Sequence, residues 1–170
     1  MKNILLTGKP KSGKTTLLNK LLEAIPNKVG LVTNEIREDG ERVGFEAVTH
    51  SNERSLLAHV DFDKEKSVSR YGVSIENLEK LLPFISHFEN ETLYLDEIGQ
   101  MELMSSAFIE ITRNYLDSEN LCLATFSCVY EDNFTKEVRN RDDVVIYEID
   151  ESNRDEMYKK ILTEIELKKS

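Results

Sequence analysis

The sequence predicts an α/β fold: a mainly parallel sheet with helices on both faces and an added antiparallel hairpin. Three observations predict it. Strand-like apolar runs alternate with helical patterns along most of the chain, and such βαβ units place their crossover helices on the faces of a parallel sheet. One pair of runs is joined instead by Glu38-Asp39-Gly40-Glu41, whose Asp-Gly pair signals a tight antiparallel hairpin. The first strand-to-helix junction carries GKPKSGKTT, Gly8 to Thr16, with two glycines and three lysines.

The strand-like runs are 2–7, 28–33, 42–49, 92–96, 121–126 and 144–149, with the second extending to Ile36 in the hairpin. Leu17, Leu18, Leu21, Leu22 and Ile25 mark a first helix, stopped by Pro26; Leu78, Leu81, Leu82 and Ile85 mark a second. The last helix is expected to be capped by Ser152 with Asp155 three residues on. Met157, Ile161 and Ile165 then recur at a spacing of four, and Lys168 and Lys169 fall at the negative end of the helix dipole. Residues 53–66 fit either a third strand of the hairpin or a loop over the site. No repeat, linker or low-complexity segment interrupts this order.

Composition bounds the function classes. The 170 residues are 39% hydrophobic and 32% charged, with 3 Pro and 7 Gly, which predicts one soluble domain spanning 1–170. The formal net charge is −10 and no long block of like charges occurs, so the basic footprint of a duplex-binding protein is missing and nucleic acid is not an expected partner. MKNILLTG is too short in apolar residues for a secretory segment, and no 18-residue apolar run follows; the expectation is a cytoplasmic protein without membrane association. Cys122 lies in the apolar run LCLATF and reads as a reduced, buried thiol, and with Cys128 it forms no Cys-x-x-Cys pair. His50, His59 and His87 share no i, i+4 spacing, so zinc is not expected.

Gly8 to Thr15 fits G-x-x-x-x-G-K-[ST] at every fixed position, a match that a random chain of this length makes on the order of once in a hundred or less. Such a loop leaves a strand, turns successive backbone N–H groups inward and enters a helix whose N-terminus favours phosphate. The flanking ILLT and TLLNKLLEAI meet both requirements. Gly8, Lys9, Pro10, Lys11, Ser12, Gly13, Lys14, Thr15 and Thr16 are therefore the candidate nucleotide-binding residues. Lys14 is expected to reach the β- and γ-phosphates and the Thr15 hydroxyl to hold Mg²⁺. Lys9 stands where dimeric P-loop ATPases with a deviant loop carry a signature lysine. The glycine pair that should follow is Pro10-Lys11 here, and the favoured reading of Lys9 and Lys11 is two solvated lysines that raise the local positive potential.

TLYLDEIGQMEL, Thr92 to Leu103, is an apolar strand ending in adjacent carboxylates. Asp96 is the candidate Mg²⁺ ligand. Glu97, one residue beyond, is the candidate base for a water aligned on the γ-phosphorus, which favours hydrolysis over transfer to an acceptor. Asp96 to Gly99 also fits the D-x-x-G of GTPases, although no N/T-K-x-D guanine-reading tetrapeptide follows. A small-molecule kinase would need an arginine-rich lid, whereas only Arg139 and Arg141 form a close pair. On residues alone, a nucleotide-driven switch or assembly ATPase and a P-loop kinase stay open beside a hydrolase.

GKPKSGKTT, TNEIREDGERVGF, RYGVSIENLE, LDEIGQMEL and RNRDDVVIYEIDESNRD, in this order, resemble the nucleoside-triphosphatase family first described from thermophiles and also called cancer-related nucleoside-triphosphatase. The resemblance covers almost the whole chain. It implies a RecA-like P-loop fold and slow, Mg²⁺-dependent hydrolysis of several nucleoside triphosphates, ATP and GTP among them, to diphosphate and phosphate. Carried onto this sequence, it assigns the phosphate loop to Gly8 to Thr16, the metal ligand to Asp96 and the water-activating carboxylate to Glu97. Glu35 and Arg37 fall beyond a strand's C-terminal end, where open α/β sheets bind ligands; a hairpin ion pair and a role in shaping the site both fit them. The chain departs from the family's usual pattern in the basic Lys9 and Lys11 and in FSCVYEDNF, which lacks a proline-rich connection. Thr125 and Ser127 stay open there as γ-phosphate sensors.

Overall fold

The computed structural model describes residues 3–169, the side chains of Lys168 and Lys169 excepted. Lys2 of the first strand run, and the two lysines expected to complement the last helix dipole, lie outside the described residues or side chains. The chain runs β1 (Asn3–Gly8), α1 (Lys14–Glu23), β2 (Lys28–Glu38), β3 (Glu41–Thr49), β4 (Arg54–His59), β5 (Ser67–Val68), β6 (Tyr71–Val73), α2 (Ile75–Glu79), β7 (Thr92–Ile98), α3 (Ser106–Asp117), β8 (Cys122–Ser127), α4 (Asn133–Arg139), β9 (Val144–Glu148) and α5 (Arg154–Lys169).

Among the described residues the strands form one sheet of order β5-β6-β4-β3-β2-β7-β8-β1-β9. From β2 to β9 every neighbour is parallel, while β3, β4, β6 and β5 extend the sheet antiparallel beyond β2. The hairpin turn has the expected chemistry: Asp39 and Gly40 both take positive φ, 52° and 79°, as a two-residue turn matching the strand twist requires. Residues 54–59 are a third strand added to the β2–β3 hairpin and not a loop over the site.

The helices divide between two faces. Leu17, Leu18, Leu21 and Leu22 of α1 pack with Ile161 and Ile165 of α5 against Ile4 and Leu6 of β1. On the other face, α2, α3 and α4 bury Leu78, Phe108, Ile111, Tyr115, Phe134 and Val138 against Leu5, Leu93, Leu95 and Ala124. Because β1 is covered on both sides, its residues are buried without alternation, as in parallel sheets generally.

Two expectations are corrected. Leu78 to Ile85 is not one helix: α2 ends at Glu79 and a separate 3₁₀ turn spans Leu82–Phe84. Pro83 lacks the N–H that a continuous helix needs, and its ring would meet the carbonyl one turn back. The four apolar residues are buried all the same. At α5, Ser152 is not the cap, because its hydroxyl donates to Asp150 at 2.6 Å within a turn that the Asp150 carboxylate organises, and the helix starts at Arg154. Two further helices lie outside the runs identified from the sequence. In α3, Phe108, Ile111, Thr112, Tyr115 and Leu116 form one buried stripe behind the Ser105 cap; α4 opens with an Asp132/Thr135 capping box.

Candidate active site

The site forms at the C-terminal edge of the sheet, where β1, β7 and β8 end side by side. β8 lies between the other two, with Gly8 opposite Ser127 and Leu95 opposite Ala124. A loop after β1 and a carboxylate pair on β7 are thus one strand apart.

Gly8 and Gly13 are where the phosphate loop needs glycine. A Cβ on Gly8 would stand 2.5 Å from the Ile149 carbonyl oxygen, and Gly13 takes φ 96° at the N-cap of α1. No side chain caps α1 and its first turn holds no acidic residue, so the leading N–H groups and the positive dipole end are left for an anion. The Ser12 hydroxyl is buried in this loop without a hydrogen-bond partner among the described residues. Lys9, Pro10 and Lys11 are exposed, as solvated residues of the loop would be.

Asp96 is 5% exposed, and two hydroxyls converge on its Oδ1: Thr125 Oγ1 donates at 2.5 Å and Thr15 Oγ1 at 3.3 Å. Burial pushes its carboxyl up to about 6, and the Thr125 and Thr15 hydrogen bonds oppose that rise. Thr125 is therefore tied to the metal candidate through its hydroxyl, while the Ser127 hydroxyl accepts from the Tyr130 N–H at 3.2 Å. The Asp96–Glu97 peptide bond is cis.

Glu97 Oε2 lies 2.8 Å from Lys14 Nζ, with the lysine side chain 14% and the glutamate 37% exposed. Lys14 also donates to the Gly8 carbonyl at 3.5 Å. The glutamate folds back over Gly99, where a Cβ would come within 2.8 Å of Oε1 and 2.9 Å of Cγ. Gly99 thus makes room for the carboxylate. The outcome is one acid held between hydroxyls in the protein and a second acid, from the next residue, reaching solvent beside the phosphate-loop lysine.

A third acid was not singled out by sequence. Glu102 is 4% exposed, accepts from Thr33 Oγ1 at 3.0 Å, and is pushed up to about 8 by burial, with Glu97 and Asp96 repelling its charge. The signal is in the sequence: a carboxylate between the apolar Met101 and Leu103, four residues beyond the strand that carries Asp96. Glu35 and Arg37 do form the hairpin ion pair, at 3.0 Å, and Arg42 joins it at 3.1 Å. The structure does not bring them into contact with the phosphate loop.

A family model described as NTPase matches residues 3–162. The chain is 39% identical over 163 residues to "Nucleoside-triphosphatase THEP1" of Thermotoga sp. (strain RQ2), covering 94% of this chain and 93% of that protein. Its structure is similar to the crystal structure of THEP1 from Aquifex aeolicus, with a TM-score of 0.84 at 29% identity over 95% of this chain and 97% of that one. It is also similar to the solution structure of a human cancer-related nucleoside triphosphatase, with a TM-score of 0.82 at 31% identity over 97% of each chain. No described helix is long and apolar enough to cross a membrane. With the expected α/β P-loop fold and this match over nearly its whole length, the chain belongs to the NTPase family.

Proposed function

We propose that this protein is a Mg²⁺-dependent nucleoside-triphosphatase that hydrolyses ATP, GTP and other nucleoside triphosphates to diphosphate and phosphate. Its named relatives are nucleoside-triphosphatases. The observation that carries the reading is the 2.8 Å contact between Lys14 and Glu97. It puts a solvent-reaching carboxylate at the lysine that takes the terminal phosphates in a P-loop site.

Each residue then has a distinct task. The backbone N–H groups from Gly8 to Thr16 and the start of α1 hold the phosphate chain, and Lys14 offsets charge on its β- and γ-oxygens. Glu97 accepts the proton of the attacking water. Gly99 lets that carboxylate fold into place, and Thr125 fixes the orientation of Asp96.

The residues present fit Mg²⁺. This hard cation takes oxygen ligands, often one carboxylate and a hydroxyl together with substrate phosphates, and Asp96 Oδ1 with the Thr15 hydroxyl 3.3 Å away is such a set. When bound, Mg²⁺ would neutralise phosphate charge.

The test is Glu97→Gln. Glutamine keeps the size and can still hydrogen-bond water, yet cannot take its proton, so phosphate release at saturating nucleotide should fall by about 10²- to 10⁴-fold. Binding of a non-hydrolysable ATP analogue should change little. Near wild-type turnover would assign the proton transfer to another residue and remove the main reason to prefer a hydrolase over a switch.

A further inference from the structure

The phosphate loop has a second neighbour that its sequence does not announce. The face of Gly13 is covered by Arg154, the first residue of α5: a Cβ there would lie 2.2 Å from Arg154 Cδ and 2.5 Å from Nη1. Strand order makes this contact. β9 lies beside β1, its continuation through Ile149 donates to the Thr7 carbonyl at 2.7 Å, and the Asp150 turn then delivers α5 onto the loop. The Arg154 guanidinium has no hydrogen-bond or ion-pair partner among the described residues, although it carries five donors.

Arg154 opens a cavity of about 170 Å³, partly open to solvent and lined by Thr16, Leu17, Lys20, Arg154, Asp155 and Tyr158. Thr16 and Lys20 are four apart on α1, and Arg154 and Tyr158 are four apart on α5, so two facing helix surfaces make a trough. Its near end is Thr16, directly after the hydroxyl that donates to Asp96. Its far end is closed by Lys20, whose Nζ lies 5.2 Å from the centre of the Tyr158 ring. A cavity of roughly 150 Å³ holds a benzene-sized ring, so this one has room for a flat heterocycle whose outer edge stays in water.

Direction decides which part of the substrate it receives. The reacting end of the phosphate chain is fixed by Glu97 on β7, two strands to one side of β1. α5 follows β9, on the other side. The end of the nucleotide away from the γ-phosphate therefore points toward Arg154.

We infer that the trough between α1 and α5 is the nucleoside subsite, in which the base lies against Arg154 and Tyr158. This rests on the phosphate-loop reading and deepens it. A guanidinium plane, a phenol ring and the stem of Lys20 offer stacking and apolar contact, which every base can use, so the subsite supplies affinity without strong base choice.

The test titrates wild type, Arg154→Ala and Tyr158→Ala by calorimetry with two Mg²⁺-containing probes, a non-hydrolysable ATP analogue and inorganic tripolyphosphate. Both variants should bind the analogue about tenfold or more weakly, as loss of a stacking contact does, and bind tripolyphosphate within about twofold of wild type. Tyr158 contributes to packing, so wild type supplies a second readout: its Tyr158 ring proton signals should shift with the analogue and not with tripolyphosphate. Unchanged analogue affinity in both variants, or a ring indifferent to the analogue, overturns the subsite while phosphate binding stands. Failure of wild type to bind tripolyphosphate overturns the phosphate-loop reading and the subsite with it.

Discussion

Replacing Glu102 by glutamine should make the protein more stable at neutral pH, and the size of the gain follows from where the acid is held. Its carboxyl titrates near 4.5 when exposed and is pushed up to about 8 in the fold, because ionisation would place an unsolvated charge close to Glu97 and Asp96. An acid with a raised folded value binds its proton more tightly folded than unfolded. Its favourable share of stability is therefore complete below about 4.5 and is lost progressively as pH rises to about 8. Each pH unit in that window costs about 1.4 kcal/mol, so at pH 7 wild type has given up about 3 kcal/mol that the glutamine variant keeps. Glutamine can still accept from the Thr33 hydroxyl, now 3.0 Å from Glu102 Oε2, and leaves no cavity. The assay is denaturant unfolding of both proteins between pH 4.5 and 8.5. Asp96, raised to about 6, tilts both curves between 3.8 and 6, but the difference between the two proteins should grow mainly with Glu102 and level off above pH 8. A difference that does not change with pH would mean that Glu102 is ionised in the folded protein, or that its burial does not raise it.

Lys14→Ala should weaken triphosphate binding and abolish turnover, since it removes the one loop cation in contact with Glu97. Wild-type phosphate release from a folded Lys14→Ala protein would refute the loop assignment. Base selectivity should be low: kcat/KM for the four common ribonucleoside triphosphates should agree to well within about a hundredfold, and a single base preferred by more than that, about 2.7 kcal/mol, would require a specific base-reading contact and refute this expectation.

What the sequence made legible is local, and what it did not is produced by strand order. The phosphate loop is a continuous stretch with fixed spacing, and Asp96 and Glu97 end a strand whose apolar run is plain, so both could be read without knowing the sheet. The hairpin was readable too, because Asp39-Gly40 dictates its own turn. Thr125, however, becomes a partner of Asp96 only because β8 inserts between β1 and β7, 29 residues along the chain from the acid it contacts. Arg154 meets Gly13 only because β9 takes the far side of β1. Glu102 reaches Thr33 across 69 residues, through a 3₁₀ turn at Glu102–Met104 that turns a polar residue inward. Where a local rule did fail, at Leu78 to Ile85, the apolar spacing identified what is buried while Pro83 decided the backbone.

Burial, more than residue type, separates the three acids of this site. Asp96, Glu97 and Glu102 come from seven consecutive residues, and three ionised carboxylates beside one lysine would repel one another strongly in a partly dry cleft. The fold avoids that by giving each a different environment. Glu102 is buried against a hydroxyl and held largely protonated at neutral pH, so it ties the middle of β2, at Thr33, to the turn after β7 without adding a charge. Asp96 is almost as buried but accepts two hydroxyls, one of them from the phosphate loop, which suits an oxygen ligand for a cation. Glu97 alone reaches solvent, and Lys14 lies against it. A phosphate chain that draws Lys14 onto its own oxygens would free Glu97 at the moment when a water needs a proton acceptor there. On the proposed function, the Lys14–Glu97 ion pair would couple occupation of the loop to release of the base.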